Sequence, residues 1–112
     1  MNPGAQQASR IRALNDRFRS CFIGGRVLIT EGVRALGQEF ESATVEAVQT
    51  FRDFSGDNDP YGEHDFGAVR INDTKVFWKI DYYDRACRYG SEDPADPSQT
   101  TRVLTIMLAS EY

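Results

Sequence analysis

The ten residues KVFWKIDYYD, 75–84, constrain the fold more than any other stretch of this chain. Successive side chains of a strand point to opposite faces. Val76, Trp78, Ile80 and Tyr82 therefore share one face, and Phe77, Lys79, Asp81 and Tyr83 share the other. So clean an alternation predicts a strand with its first set towards a core. Upstream, DFGAVRIN runs into Asn72-Asp73, a residue pair able to form the tight two-residue turn of a hairpin. The two arms predict a β-hairpin over residues 65–72 and 75–83.

Helical spacing appears elsewhere. Ile11, Leu14 and Phe18 follow Ser9, a capping residue type, and predict a helix from there to Ser20, with Arg10, Asp16 and Arg17 towards water. Residues 1–8, rich in small and amide side chains, read as a flexible lead-in to a single domain over 9–112. Gly24-Gly25 ends the helix, RVLIT (26–30) reads as a strand, and Gly32 and Gly37 bracket a turn. Val45, Val48 and Phe51 behind Ser42 predict a helix over 42–53. Asp96-Pro97-Ser98-Gln99 has the residue order of a helix start. Residues 98–110 therefore read as a helix bearing Val103, Leu104, Met107 and Leu108 on one face, although their Val, Thr and Ile content equally suits a strand. The expected fold is α+β, a small antiparallel sheet packed by two or three helices.

Composition excludes several classes. No stretch approaches the ~18 consecutive apolar residues of a membrane span. The N-terminus lacks the apolar segment of a secretion signal, so the expected location is cytoplasmic. Cys21 and Cys87 stand far apart, outside any C-x-x-C pair, and read as reduced, packed thiols, with a bridge between them left open. The net charge of −4 is uneven: five arginines against Asp16 make residues 1–26 basic by +4, and the remainder carries −8. An acidic body repels nucleic-acid phosphates and suits a protein partner with a basic surface. No zinc-finger, RRM or KH pattern is present; Arg10, Arg17 and Arg19 are the residues through which a regulatory nucleic-acid contact would run.

The stretch GDNDPYGEHDFG, 56–67, holds the single histidine and four carboxylates. Asp57, Asp59 and Gly62 fall at positions 1, 3 and 6 of an EF-hand loop, but Tyr61 and Ala68 stand where ligands are needed, so this is not an EF-hand. His64 has no second imidazole or nearby cysteine to build a zinc site. A hard cation held by Asp57, Asp59 and Glu63 remains chemically open. An acid-base or metal-assisted enzyme would have to centre on His64 with Glu63, Asp65 or Asp81, and no nucleophile or phosphate-cradling glycine pattern accompanies it. The plainer reading is a turn whose Asp57, Asn58 and Asp59 bond their own backbone while His64 bridges the loop to its neighbours.

The blocks NDPYGEHDFG (58–67), FWKIDYYD (77–84), YGSEDPADP (89–97) and RVLTIMLASEY (102–112) resemble an uncharacterised bacterial domain-of-unknown-function family of small proteins, marked by GEHDFG, FWKIDYYD and VLTIMLxxEY in that order. IRALNDRFR and GGRVLITEGV resemble its N-terminal half, which extends the resemblance from about residue 11 to the end. It implies no activity, cofactor or catalytic residue. Small plasmid-borne proteins often prove to be inhibitors or accessory factors of mobile elements, so the resemblance implies, by association, an anti-CRISPR-like role. The expected function is thus binding of a protein partner through Asp57, Asp59, Tyr61, Glu63, His64, Asp65, Phe77, Lys79, Asp81 and Tyr83, with no catalytic residue, metal or cofactor.

Overall fold

A computed structural model describes residues 3–112. Met1 and Asn2, the start of the expected lead-in, lie outside the described residues. Helix α1 spans Pro3–Cys21, strand β1 Arg26–Ile29, the single-turn helix α2 Glu31–Arg34 and helix α3 Gln38–Gln49. Strands β2 (Phe66–Ile71), β3 (Thr74–Tyr83) and β4 (Thr101–Leu108) follow, and a 3-10 turn at Ala109–Glu111 closes the order. The fold is α+β, as expected. The sheet, however, is mixed rather than wholly antiparallel. Its order is β1-β4-β3-β2, and β1 runs parallel to β4 with Arg26 opposite Val103 and Ile29 opposite Ile106.

The hairpin forms as its alternation requires. Asn72 and Asp73 both take positive φ (50° and 67°), the condition of the tight turn whose twist matches the strands. Val76, Trp78 and Ile80 are buried, and Phe77, Lys79, Asp81 and Tyr83 occupy the opposite face. Gly67 faces Trp78 across the ladder. A Cβ there would stand 2.4 Å from the indole Nε1, so only glycine lets the ring lie flat on β2.

Three expectations shift. Helix α1 begins at Pro3, six residues before Ser9, and Pro is well suited to a first helical position. Ser9 lies inside the helix and accepts a hydrogen bond from Arg12 Nη2. Helix α3 starts at Gln38 behind Gly37, not at Ser42, and ends at Gln49; Phe51 is buried from the following loop. Its buried stripe is Phe40, Thr44 and Val48. The turn expected between Gly32 and Gly37 contains α2, whose N-cap Thr30 accepts from Val33 N.

The largest correction is β4, expected as helix over 98–110 and observed as a strand. The cap-like residues do cap: Asp96 accepts from Ser98 N and Oγ and from Gln99 Nε2. They close a turn with no helix behind it. As the strand between β1 and β3, β4 has buried residues on both faces, Leu104 and Ile106 on one and Val103 and Met107 on the other, which produces a near-continuous apolar run instead of alternation. The β-branched residues Val103, Thr105 and Ile106 suit that environment.

The core lies between the helices and one sheet face. Phe18, Val33, Phe40 and Val48 from α1–α3 cluster with Phe51, Val76, Trp78, Ile80, Leu104 and Ile106. No helix among the described residues is long and apolar enough to cross a membrane.

Candidate functional site

The loop from Thr50 to Asp65 is held by its own polar side chains. Asn58 accepts from Ser55 N and donates to Asp53 O, each at 2.7 Å. Asp59 is buried and accepts from His64 N at 3.0 Å, which holds His64 at a φ of 56°. Histidine is among the residues that tolerate this left-handed conformation, though at a cost. Asp57 is exposed on the loop surface, and Tyr61 is 79% exposed.

The His64 ring is fixed on three sides. Nδ1 donates to Asp16 of α1, 2.8 Å from Oδ1, while Nε2 faces Asp59 Oδ2 at 3.5 Å. One ring face stacks on Phe54 with centroids 3.7 Å apart and planes 2° from parallel. Among the described residues no hydroxyl or thiol hydrogen-bonds to the ring. Asp16, expected to face water, instead bridges His64 and Arg19, accepting from Arg19 Nη1 at 3.1 Å. Arg19 is itself buried, donating from Nε to Val48 O and from Nη2 to Phe51 O. It satisfies a carbonyl of the last turn of α3 and one of the loop just beyond, and its charge complements that end of the helix. Its guanidinium also lies 5.0 Å from the Trp78 ring centre. Asp16, Arg19, His64 and Phe54 border a cleft of ≈530 Å³ between the ends of α1 and α3.

A second network ties the loop to the sheet. Tyr82 donates its hydroxyl to Glu63 Oε1 and accepts from Asn15 Nδ2, both at 2.8 Å. Asn15, fully buried on α1, also donates to Glu63 O and accepts from Arg102 Nε. Arg102, buried on β4, donates to Pro94 O and lies over the Tyr82 ring. Burial raises the Tyr82 hydroxyl far above its ordinary range, with the Glu63 carboxylate adding to the rise. Burial likewise lowers Arg102. Asp65 is raised by burial first and then by Glu63, Asp59 and Asp81.

The remaining candidates lie on the other side of the sheet. Lys79 Nζ pairs with Asp81 Oδ2 at 3.0 Å, and that hydrogen bond raises the lysine. Phe77 packs edgewise on Tyr112 and at a tilt on Phe66. Leu28 of β1 is 54% exposed on this face, next to Thr105. The ten residues singled out from sequence therefore divide. Asp59, Glu63, His64 and Asp65 turn inward or sideways against α1 and β3, Asp57 and Tyr61 stand out from the loop, and Phe77, Lys79, Asp81 and Tyr83 belong to the helix-free face.

Sequence reasoning missed Asn15, Asp16, Arg19 and Arg102, whose partners lie far along the chain and leave no local pattern. Cys21 and Cys87 are both free, and Cys21 is exposed rather than packed. Among the described residues no group of three or more His, Cys, Asp or Glu is arranged to hold a metal ion.

No curated protein and no solved structure matches the chain. A family model described as a protein of unknown function, DUF3768, matches residues 29–111, from the end of β1 through the loop and hairpin to the last turn. The whole of α1, which supplies Asp16 and Asn15, lies outside the match. The chain belongs to the DUF3768 family.

Proposed function

We propose that the protein works by binding another protein, with the helix-free face of its sheet as the main contact surface. One observation carries the reading: the core residues of α1, α2 and α3 all pack on the Trp78 face, leaving Leu28, Phe77 and Tyr83 outward beside the Lys79–Asp81 pair. Aromatic side chains supply contact area at low entropy cost, and a paired charge at the rim fixes orientation. Asp57 and Tyr61 offer a second contact from the loop. The excess of carboxylates beyond residue 26 suits a partner with a basic surface and speeds encounter with it. In its sharpest form the protein is a cytoplasmic inhibitor or accessory factor of a mobile element, anti-CRISPR-like, that occupies a basic nucleic-acid-binding surface.

The test is affinity capture with the wild type against Leu28→Glu and Tyr83→Ala, followed by identification of retained proteins. A stoichiometric partner bearing a basic surface, released by moderate salt and lost in both variants, is expected. Equal retention by all three proteins refutes the assignment of the face. A second reading, an acid-base enzyme centred on His64, is favoured by the Asp16–His64 pair at the mouth of the cleft.

A further inference from the structure

We propose that the cleft between the ends of α1 and α3 binds the phosphoryl group of a phosphate-bearing ligand. The inference is independent of the sheet face. The chain carries a net −4, yet this cleft is bordered by Arg17, Arg19 and Arg52 against the single carboxylate of Asp16. Asp16 is already engaged by Arg19 and His64. Arg19 spends its other donors on Val48 O and Phe51 O, covering carbonyls that would otherwise repel an anion.

Arg17 and Arg52 are left over. Both are exposed, and among the described residues neither guanidinium has a hydrogen-bond or ion-pair partner. A planar guanidinium fork matches two oxygens of a phosphoryl group, and two forks on one cleft match a single ligand better than scattered surface charges do. The Gln49 amide at the same rim is likewise without a partner and adds a neutral donor. The stacked rings of Phe54 and His64 supply a flat apolar wall beside these groups. A volume of ≈530 Å³ falls within the roughly 300–1,000 Å³ of small-molecule sites. The phosphoryl group can come from a soluble metabolite or from a nucleic-acid strand, since the recognising chemistry is the same.

The experiment is a titration of the intact protein with inorganic pyrophosphate at low salt, followed by amide resonances. Two double variants with equal loss of charge are compared: R17Q/R52Q at the cleft and R10Q/R85Q at exposed positions away from it. Saturable perturbation of residues 16–20 and 49–54 is expected, with a Kd weakened at least about tenfold in R17Q/R52Q and unchanged in R10Q/R85Q. Absence of saturation, or equal weakening in both variants, overturns the proposal. A single-stranded oligonucleotide titrated in parallel distinguishes the sources. Tighter binding of the strand at the same resonances assigns the phosphate to nucleic acid, and binding of pyrophosphate alone assigns it to a small molecule.

Discussion

Replacing His64 with alanine separates a structural anchor from a reacting group. The ring's hydrogen bond to Asp16 involves a charged acceptor, an interaction worth roughly 1.5–3 kcal/mol in protected sites. Asp16 is 42% exposed and keeps Arg19, so about 1 kcal/mol is the appropriate share here. The parallel stack on Phe54 contributes roughly 0.5–1.5 kcal/mol more. Alanine must also adopt the φ of 56° that histidine tolerates several-fold better, at a further cost of roughly 0.5 kcal/mol. The combined loss is about 2–3 kcal/mol, a fall in Tm of about 10 °C for a domain of this size. His64→Gly, free of the backbone strain, should recover about 1 kcal/mol of it. Urea unfolding measures both variants, and hydrogen exchange should show the opening confined to residues 54–65 while β3 and β4 stay protected. If both variants unfold within about 0.5 kcal/mol of wild type, the ring is not an anchor and an acid-base role for His64 gains ground.

Two further outcomes follow from local geometry. The folded-state pKa of Asp65 is raised, first by burial and then by Glu63, so the folded protein holds that proton more tightly than the unfolded chain. The stability this group adds is full below the unfolded value and disappears as pH rises through the folded one. Asp65→Asn should therefore raise the urea midpoint at pH 7 and leave it little changed in acid, and an equal or lower midpoint at neutral pH would count against the assignment. Gly67→Ala sets a methyl group against the Trp78 indole, and overpacking of this kind costs roughly 1–3 kcal/mol. Calorimetry should show the fall in Tm, and emission spectroscopy a shifted Trp78 fluorescence maximum.

The hairpin was legible because its signals are local. Period-two alternation and a turn pair tolerant of positive φ both sit within twenty residues of each other. β4 was not, since a strand with buried residues on both faces loses its alternation, and Val103, Leu104, Met107 and Leu108 happen to satisfy a helical period as well. The shift of α3 has a similar cause: Val45, Val48 and Phe51 suggested a stripe that the chain realises with Phe40, Thr44 and Val48, using Phe51 from the loop. The parallel pairing of β1 with β4 joins segments that nothing in either one marks as neighbours. Of the candidate site, the polar turn and the exposed row of β3 could be read. The anchoring partners could not, because Arg19 and Arg102 carry a residue type that is solvated by default, and Asp16 meets His64 across 48 positions.

β1 has a single neighbour in the sheet, and that neighbour is the last of the four strands in chain order. Until it emerges, the RVLI segment has nothing to zip against, and the hairpin lacks its companion on one flank. Nascent chains of this protein must therefore wait, half-assembled and with the Trp78 ring incompletely covered, for the closing step at the middle of the sheet. Its assembly is paced by the long loop between β1 and β4 that it has to close.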